Sequence, residues 1–152
     1  ADDRGNGAAI LLYNANKGTV VLTKQFRMPT YVNGNVDGMM IEVCAGLLDG
    51  DNPADCVRKE TEEETGYKIS NVKKVMQTYM SPGSVTEILY LFVGEYDESM
   101  KVSEGGGAED ETENIEVLEL NFEKAMDMIS TGEINDSKTI MLLQYAKLNA
   151  LV

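Results

Sequence analysis

The stretch from Asn52 to Gly66 constrains this chain more than any other, because it carries the punctuation of a complete helix. Asn52 is a favoured N-cap residue, Pro53 suits a first helical position where its missing N–H costs nothing, and Gly66 provides the usual C-terminal stop. A helix over residues 53–65 is expected. Winding it at about 100° per residue brings Glu60, Glu63 and Glu64 into the sector that also carries Cys56 and Val57. Asp55, Arg58, Lys59 and Glu62 then face solvent. Carboxylates crowded beside an apolar edge repel one another and lose hydration, which raises their pKa values unless a cation joins them. Oxygen ligands at i, i+3 and i+4 suit a hard ion that keeps several waters and also binds phosphates, Mg²⁺ or Mn²⁺ ahead of zinc. A charge run on a helix is more often a solvated face; the apolar edge is what favours a metal here.

Composition narrows the chemistry from the other side. Histidine is absent from all 152 residues, which excludes Ser-His-Asp and Cys-His triads, imidazole bases and His-containing zinc sites. Carboxylates must carry any acid–base or metal chemistry. With 26 acidic against 13 basic residues the net charge is −13, so nonspecific binding to nucleic acid or to an anionic membrane is not expected. No apolar run reaches the roughly 18 residues of a membrane span, and no signal core follows the N-terminus. Cys44 and Cys56 fall in strand and helix contexts, a usage that suits buried thiols in a reducing cytoplasm. Because the chain starts at Ala1 and runs from Asp2 directly into a strand, an N-terminal part of the natural protein is expected to be missing.

The remainder reads as strands and helices sharing one domain, residues 1–152, of α/β (α+β) class. Residues 8–13 and 19–26 are β-prone runs joined by Asn14-Ala15-Asn16-Lys17-Gly18, the pattern of a hairpin with a glycine in its loop. A polar loop over residues 31–38 leads to a strand over 39–44 and a Gly- and Asp-rich turn over 45–51. Strands follow over residues 72–80 and 88–96, around Ser81-Pro82-Gly83-Ser84, and over 115–120. Phe122, Ala125, Met126 and Ile129 recur at helical spacing before Gly132, and residues 136–148 form a more apolar helix, making three helices in all. Gly105-Gly106-Gly107 is too short for a linker and reads as a mobile acidic loop.

Around Glu60 the sequence resembles the Nudix family, whose signature box closes on Arg-Glu, an apolar residue, any residue, Glu-Glu, any residue, glycine and an apolar residue. Glu60, Glu63, Glu64, Gly66 and Tyr67 match it. Lys59 stands for the box arginine, without its bidentate fork, Thr61 for the apolar residue and Asp51 for an upstream glutamate, while Gly46 sits one residue nearer the helix than the pattern has it. The resemblance implies an α/β/α sandwich with mixed β-sheets. It implies Glu60 and Glu64 as main metal ligands, the Ala45 carbonyl as another, and Glu63 as a further or water-mediated contact.

Longer stretches carry the resemblance further. Asp3-Arg4-Gly5-Asn6-Gly7-Ala8, Gln25-Phe26-Arg27, Cys44-Ala45-Gly46-Leu47-Leu48-Asp49, Tyr79-Met80-Ser81-Pro82-Gly83 with Thr86-Glu87, the loop Gly105 to Glu111, and Thr131-Gly132-Glu133-Ile134 look like the GDP-mannose pyrophosphatase branch, close to the ADP-ribose pyrophosphatases. This implies hydrolysis of the pyrophosphate of a nucleotide sugar, GDP-mannose to GMP and mannose 1-phosphate, in a swapped homodimer whose additional N-terminal strands lie outside this sequence. With no histidine, Glu111 or its neighbour Glu109 is the expected base, Glu111 also an extra metal ligand. Arg27, Ala45, Gly46, Leu47, Glu87, Asp110 and Lys138 would face the substrate, and Ser81-Pro82-Gly83 would shape the pocket wall. ADP-ribose as the substrate, or a catalytically silent nucleotide-binding domain, are the competing expectations.

Overall fold

Strand β1, Gly7–Asn14, is the axis of the fold, and its burial on both faces explains why it is almost wholly apolar. The computed structural model describes residues 5–107 and 114–152. Successive strand side chains point to opposite faces. Ala9 and Leu11 of β1 accordingly pack with Phe122, Leu142, Leu143 and Ala146, whereas Ala8, Ile10 and Leu12 pack with Cys56, Val57, Tyr67 and Phe92. The first set belongs to the two C-terminal helices, and Cys56 and Val57 of the second belong to the helix over residues 53–65 on the opposite side, so the architecture is an α/β/α sandwich with a mixed sheet, as expected.

The sheet has seven strands among the described residues, with the central order β3-β2-β1-β6-β5. β1 runs antiparallel to β2 (Thr19–Phe26) and parallel to β6 (Ile88–Glu95), which is itself antiparallel to β5 (Lys73–Tyr79). β2 pairs antiparallel with β3 (Met39–Glu42) through residues 23–26 and with β7 (Glu116–Asn121) through residues 19–24. Helix α2 (Pro53–Thr65) covers one face; α3 (Phe122–Thr131) and α4 (Ser137–Leu148) cover the other.

Three sequence expectations are corrected. The single strand over residues 39–44 is two short strands, because the chain changes partner at Val43: β3 pairs with β2, and β4 (Cys44–Leu47) pairs with the start of β1. Val43 N–H donates to the Thr139 hydroxyl at 2.9 Å instead of to a strand neighbour. The expected turn therefore begins only after Leu47. A short helix, α1 (Met28–Val32), precedes the polar loop, with Pro29 in its first turn and no buried residue, so the described residues hold four α-helices rather than three. The last helix starts at Ser137, and Asp136 is its cap, accepting from Thr139 N.

Candidate active site

Helix α2 forms as its punctuation requires. The Asn52 side chain accepts from Asp55 N at 2.9 Å, Pro53 opens the helix, and Gly66 closes it with φ +82° and its N–H on the Glu62 carbonyl. Glu64 is 4% exposed, Glu60 and Glu63 are half-buried, and Asp55, Lys59 and Glu62 are exposed. Arg58, expected in solvent, is half-buried, with its Nε on the Ser70 carbonyl at 2.8 Å.

The helix is seated on β4. A Cβ at Gly46 would lie 2.5 Å from the Glu60 Cγ and 2.8 Å from its Oε1, so the missing side chain is what admits the Glu60 carboxylate against that strand. Next along β4, burial pushes the Cys44 thiol well above its ordinary pKa, and the Glu64 and Glu60 carboxylates push it further. Both carboxylates therefore lie close to β4. Among the described residues no three His, Cys, Asp or Glu side chains form a metal cage on their own. The glutamates that α2 sets against β4 offer oxygen donors, which would suit a hard divalent ion whose remaining ligands are water and phosphate.

The glycine-rich loop closes over the end of this helix. Gly106 N–H donates to the Glu64 carbonyl at 2.8 Å and Gly107 N–H to the Glu63 carbonyl at 2.9 Å. Helix ends leave such carbonyls without intrahelical partners, and here the loop satisfies them. Glu109, Asp110 and Glu111 lie outside the described residues.

Beside β4 opens a pocket of about 580 Å³, within the range of small-molecule sites. Arg27 enters it from the end of β2, Ala45, Gly46 and Leu47 from β4, Glu87 from the approach to β6, and Lys138 from the first turn of α4. The residues expected to face the substrate are thus gathered in one place, Asp110 excepted as undescribed. Met80 reaches the wall, but Ser81, Pro82 and Gly83 do not; they belong to a turn in which Ser84 N–H and Val85 N–H bond the Ser81 carbonyl. A second cavity of about 500 Å³ opens at the far ends of β1 and β6, around Tyr13, Lys73 and Glu95, and holds none of the expected site residues.

Two charged residues of the pocket were not anticipated, Glu42 and Asp136. Glu42, 3% exposed, accepts from Arg27 Nε at 2.7 Å and Nη2 at 3.1 Å and from Lys138 Nζ at 2.8 Å. Asp136 accepts from Lys138 Nζ at 2.9 Å. Burial pushes the Glu42 pKa up, but its bonds to Arg27 and the charge of Lys138 outweigh that and hold it below the ordinary value. Burial likewise depresses Lys138, yet Glu42 and Asp136 raise it on balance. The sequence offered one sign of Glu42, a lone charge in the apolar run Met39-Met40-Ile41-Glu42-Val43.

A mixed sheet between helical layers, with a glutamate helix set on a glycine strand beside such a pocket, defines the class. The NUDIX domain model matches residues 3–142, and the chain belongs to that family. It is 59% identical over 150 residues, 99% of this chain and 78% of the relative, to a GDP-mannose pyrophosphatase of Yersinia enterocolitica. Proteins of the same name from Escherichia coli O1:K1 and Salmonella typhimurium are 57% identical over the same shares. A solved structure of an ADP compounds hydrolase superposes with a TM-score of 0.75 at 17% identity, over 98% of this chain and 78% of that one; at that identity it supports the fold alone.

Proposed function

We infer that the protein is a divalent-metal-dependent pyrophosphatase of nucleotide sugars that hydrolyses GDP-mannose to GMP and mannose 1-phosphate. The observation that carries this reading is the seating of Glu60 on Gly46, which lines the pocket together with Arg27, Ala45, Leu47, Glu87 and Lys138, while the charge of Glu64 acts on Arg27. The name shared by relatives at 57–59% identity supports GDP-mannose over other nucleotide sugars.

Charge explains why a cation is needed. In the pocket Arg27 and Lys138 face Glu42, Glu87 and Asp136, so the protein offers a diphosphate no net positive charge. Glu60, Glu64 and the Ala45 carbonyl would hold Mg²⁺, with Mn²⁺ as substitute, and Glu63 would reach it directly or through water. When bound, the ion neutralises phosphate charge and lowers the pKa of a coordinated water.

The chain's own groups do the rest. Water oxygen bonds to one phosphorus, the P–O bond to the bridging oxygen breaks, and the water proton goes to a carboxylate, since no imidazole exists to take it. Glu111, or Glu109, is assigned as that base and Glu111 as an additional ligand, with Asp110 toward the substrate. The anchoring of Gly106 and Gly107 on the Glu64 and Glu63 carbonyls supports a loop that starts beside the metal helix. Arg27 and Lys138 orient the nucleotide sugar, and the free guanidinium N–H groups of Arg27 are suited to phosphate oxygens. A homodimer working in the cytoplasm completes the reading; no described helix is long and apolar enough to cross a membrane.

The test is incubation with GDP-mannose, ADP-ribose and GDP-glucose in Mg²⁺, with an EDTA control and chromatographic identification of products. EDTA-sensitive release of GMP and mannose 1-phosphate, in preference to cleavage of the other two, is expected. Preference for ADP-ribose would replace the substrate, and no cleavage of any would replace the enzyme with a binding domain.

A further inference from the structure

We propose that Glu42 is a positioning residue for substrate binding: it fixes the guanidinium of Arg27 and the ammonium of Lys138 in the pocket without touching the reacting atoms itself. The inference rests on the nucleotide-sugar reading of that pocket.

Both Glu42 oxygens are committed. Oε2 takes Arg27 Nε at 2.7 Å, and Oε1 takes Arg27 Nη2 at 3.1 Å together with Lys138 Nζ at 2.8 Å. An arginine has five N–H donors in a planar fork, so a grip on the Nε and Nη2 edge orients the plane while leaving the Nη1 donors uncommitted. Lys138, a flexible point charge by nature, is held between Glu42 and Asp136 at 2.8 and 2.9 Å.

The clamp is braced from behind. Asp136 accepts from the Thr139 hydroxyl at 2.6 Å, and that hydroxyl accepts from Val43 N–H at 2.9 Å. The chain therefore joins the end of β2, the β3–β4 junction and the start of α4 in one hydrogen-bonded circuit around the pocket. Those are the elements that present Arg27, Ala45 and Lys138. A carboxylate 3% exposed, with cations on either side and its neighbour Val43 pinned to α4, is built to fix positions.

Positioning and bulk electrostatics predict opposite signs. Glu42→Gln removes a negative charge beside the anionic substrate, and on charge alone it should tighten binding. If Glu42 works by holding Arg27 and Lys138, the same change should weaken binding instead. The expected result is a KM for GDP-mannose raised on the order of tenfold, with the larger part of the effect in KM rather than kcat. In an Arg27→Ala background, where part of the clamp is already gone, the effect of Glu42→Gln should shrink.

Arg27 is partly exposed, so its variants keep the test alive if Glu42→Gln folds poorly. Arg27→Lys keeps the charge but not the two-point grip, and is expected to lose as much affinity as Arg27→Ala. A Glu42→Gln enzyme with unchanged or lowered KM, or an Arg27→Lys enzyme that binds as wild type, would overturn the inference. Calorimetric titration of GDP-mannose onto the same proteins separates the two levels. Wild-type binding without cleavage removes the proposed activity and leaves the comparison of affinities to decide the role of Glu42; no wild-type binding removes both.

Discussion

Glu60 is packed so closely on Gly46 that a Cβ at position 46 would stand 2.5 Å from the Glu60 Cγ. The glycine is needed here for closeness of approach, since its backbone is not in the left-handed region. Gly46→Ala should push the Glu60 carboxylate off β4. Displacing a ligand or its support commonly costs 10- to 100-fold in metal affinity, so the Mg²⁺ concentration for half-maximal rate is expected to rise roughly tenfold. A Mg²⁺ titration of the initial rate reads this, and an unaltered titration in a folded variant would detach Glu60 from metal binding.

The cluster around Glu42 makes stability depend on pH at both ends of the scale. Its folded pKa is depressed below the ordinary 4.5, so its contribution is full above that value and is lost as pH falls through the folded pKa. Lys138 is raised above 10.5, so its contribution is full below 10.5 and is lost as pH rises through its folded pKa. Near neutrality Glu42→Gln should cost about 1–3 kcal/mol, below the usual loss for a broken buried pair. Two facts moderate it: the Arg27 side chain is 44% exposed and can rehydrate, and Lys138 keeps Asp136. Melting curves of wild type and variant should converge as the pH drops below 4.5; a constant gap would show that the charge on Glu42 contributes nothing.

Both thiols should be silent in the native protein. Burial pushes Cys56 up to about 11, with the Glu60 carboxylate adding to it, and pushes Cys44 well above its ordinary value. Thiolate is the reactive form, and both side chains are buried. At about pH 8 an aromatic disulfide reagent should titrate neither cysteine until denaturant is added, and then both. Prompt reaction of the folded protein would mean that α2 separates from β4 readily, because Cys56 Sγ lies against the Gly46 and Leu47 carbonyls.

What could be read from sequence divides by distance along the chain. Helix α2 was legible to its ends because Asn52, Pro53 and Gly66 act on their immediate neighbours, and the grouping of Glu60, Glu63 and Glu64 follows from helical period alone. The break at Val43 was not, since it depends on Thr139, 96 positions away. Helix α1 buries nothing and is far shorter than a helix stable by itself, so it left no periodic trace. Arg27, Glu87 and Lys138 were reachable only through likeness to a family, and Glu42 only as a misplaced charge. Its partners Arg27 and Lys138 are recruited across 15 and 96 positions by the folded sheet.

Gly105 offers a way to test the loop without altering a carboxylate. Its φ is +74°, and a Cβ there would fall 2.4 Å from the Glu64 carbonyl oxygen, a backbone atom that cannot swing aside. The same carbonyl receives Gly106 N–H, so Gly105→Ala would combine left-handed strain with loss of the contact that ties the loop to α2. A cost of about 1–3 kcal/mol in stability is expected. If the loop carries the base, as proposed, activity should suffer beyond that, since displacing it would lower kcat more than it raises KM. Gly132→Ala is the control: Gly132 has φ +87° and nothing within 4 Å of an added Cβ, at the end of α3. It should show the strain in melting temperature, with kcat unaffected. If Gly105→Ala melts lower but turns over at the wild-type rate, the loop is a cap for α2 and the base must be sought elsewhere.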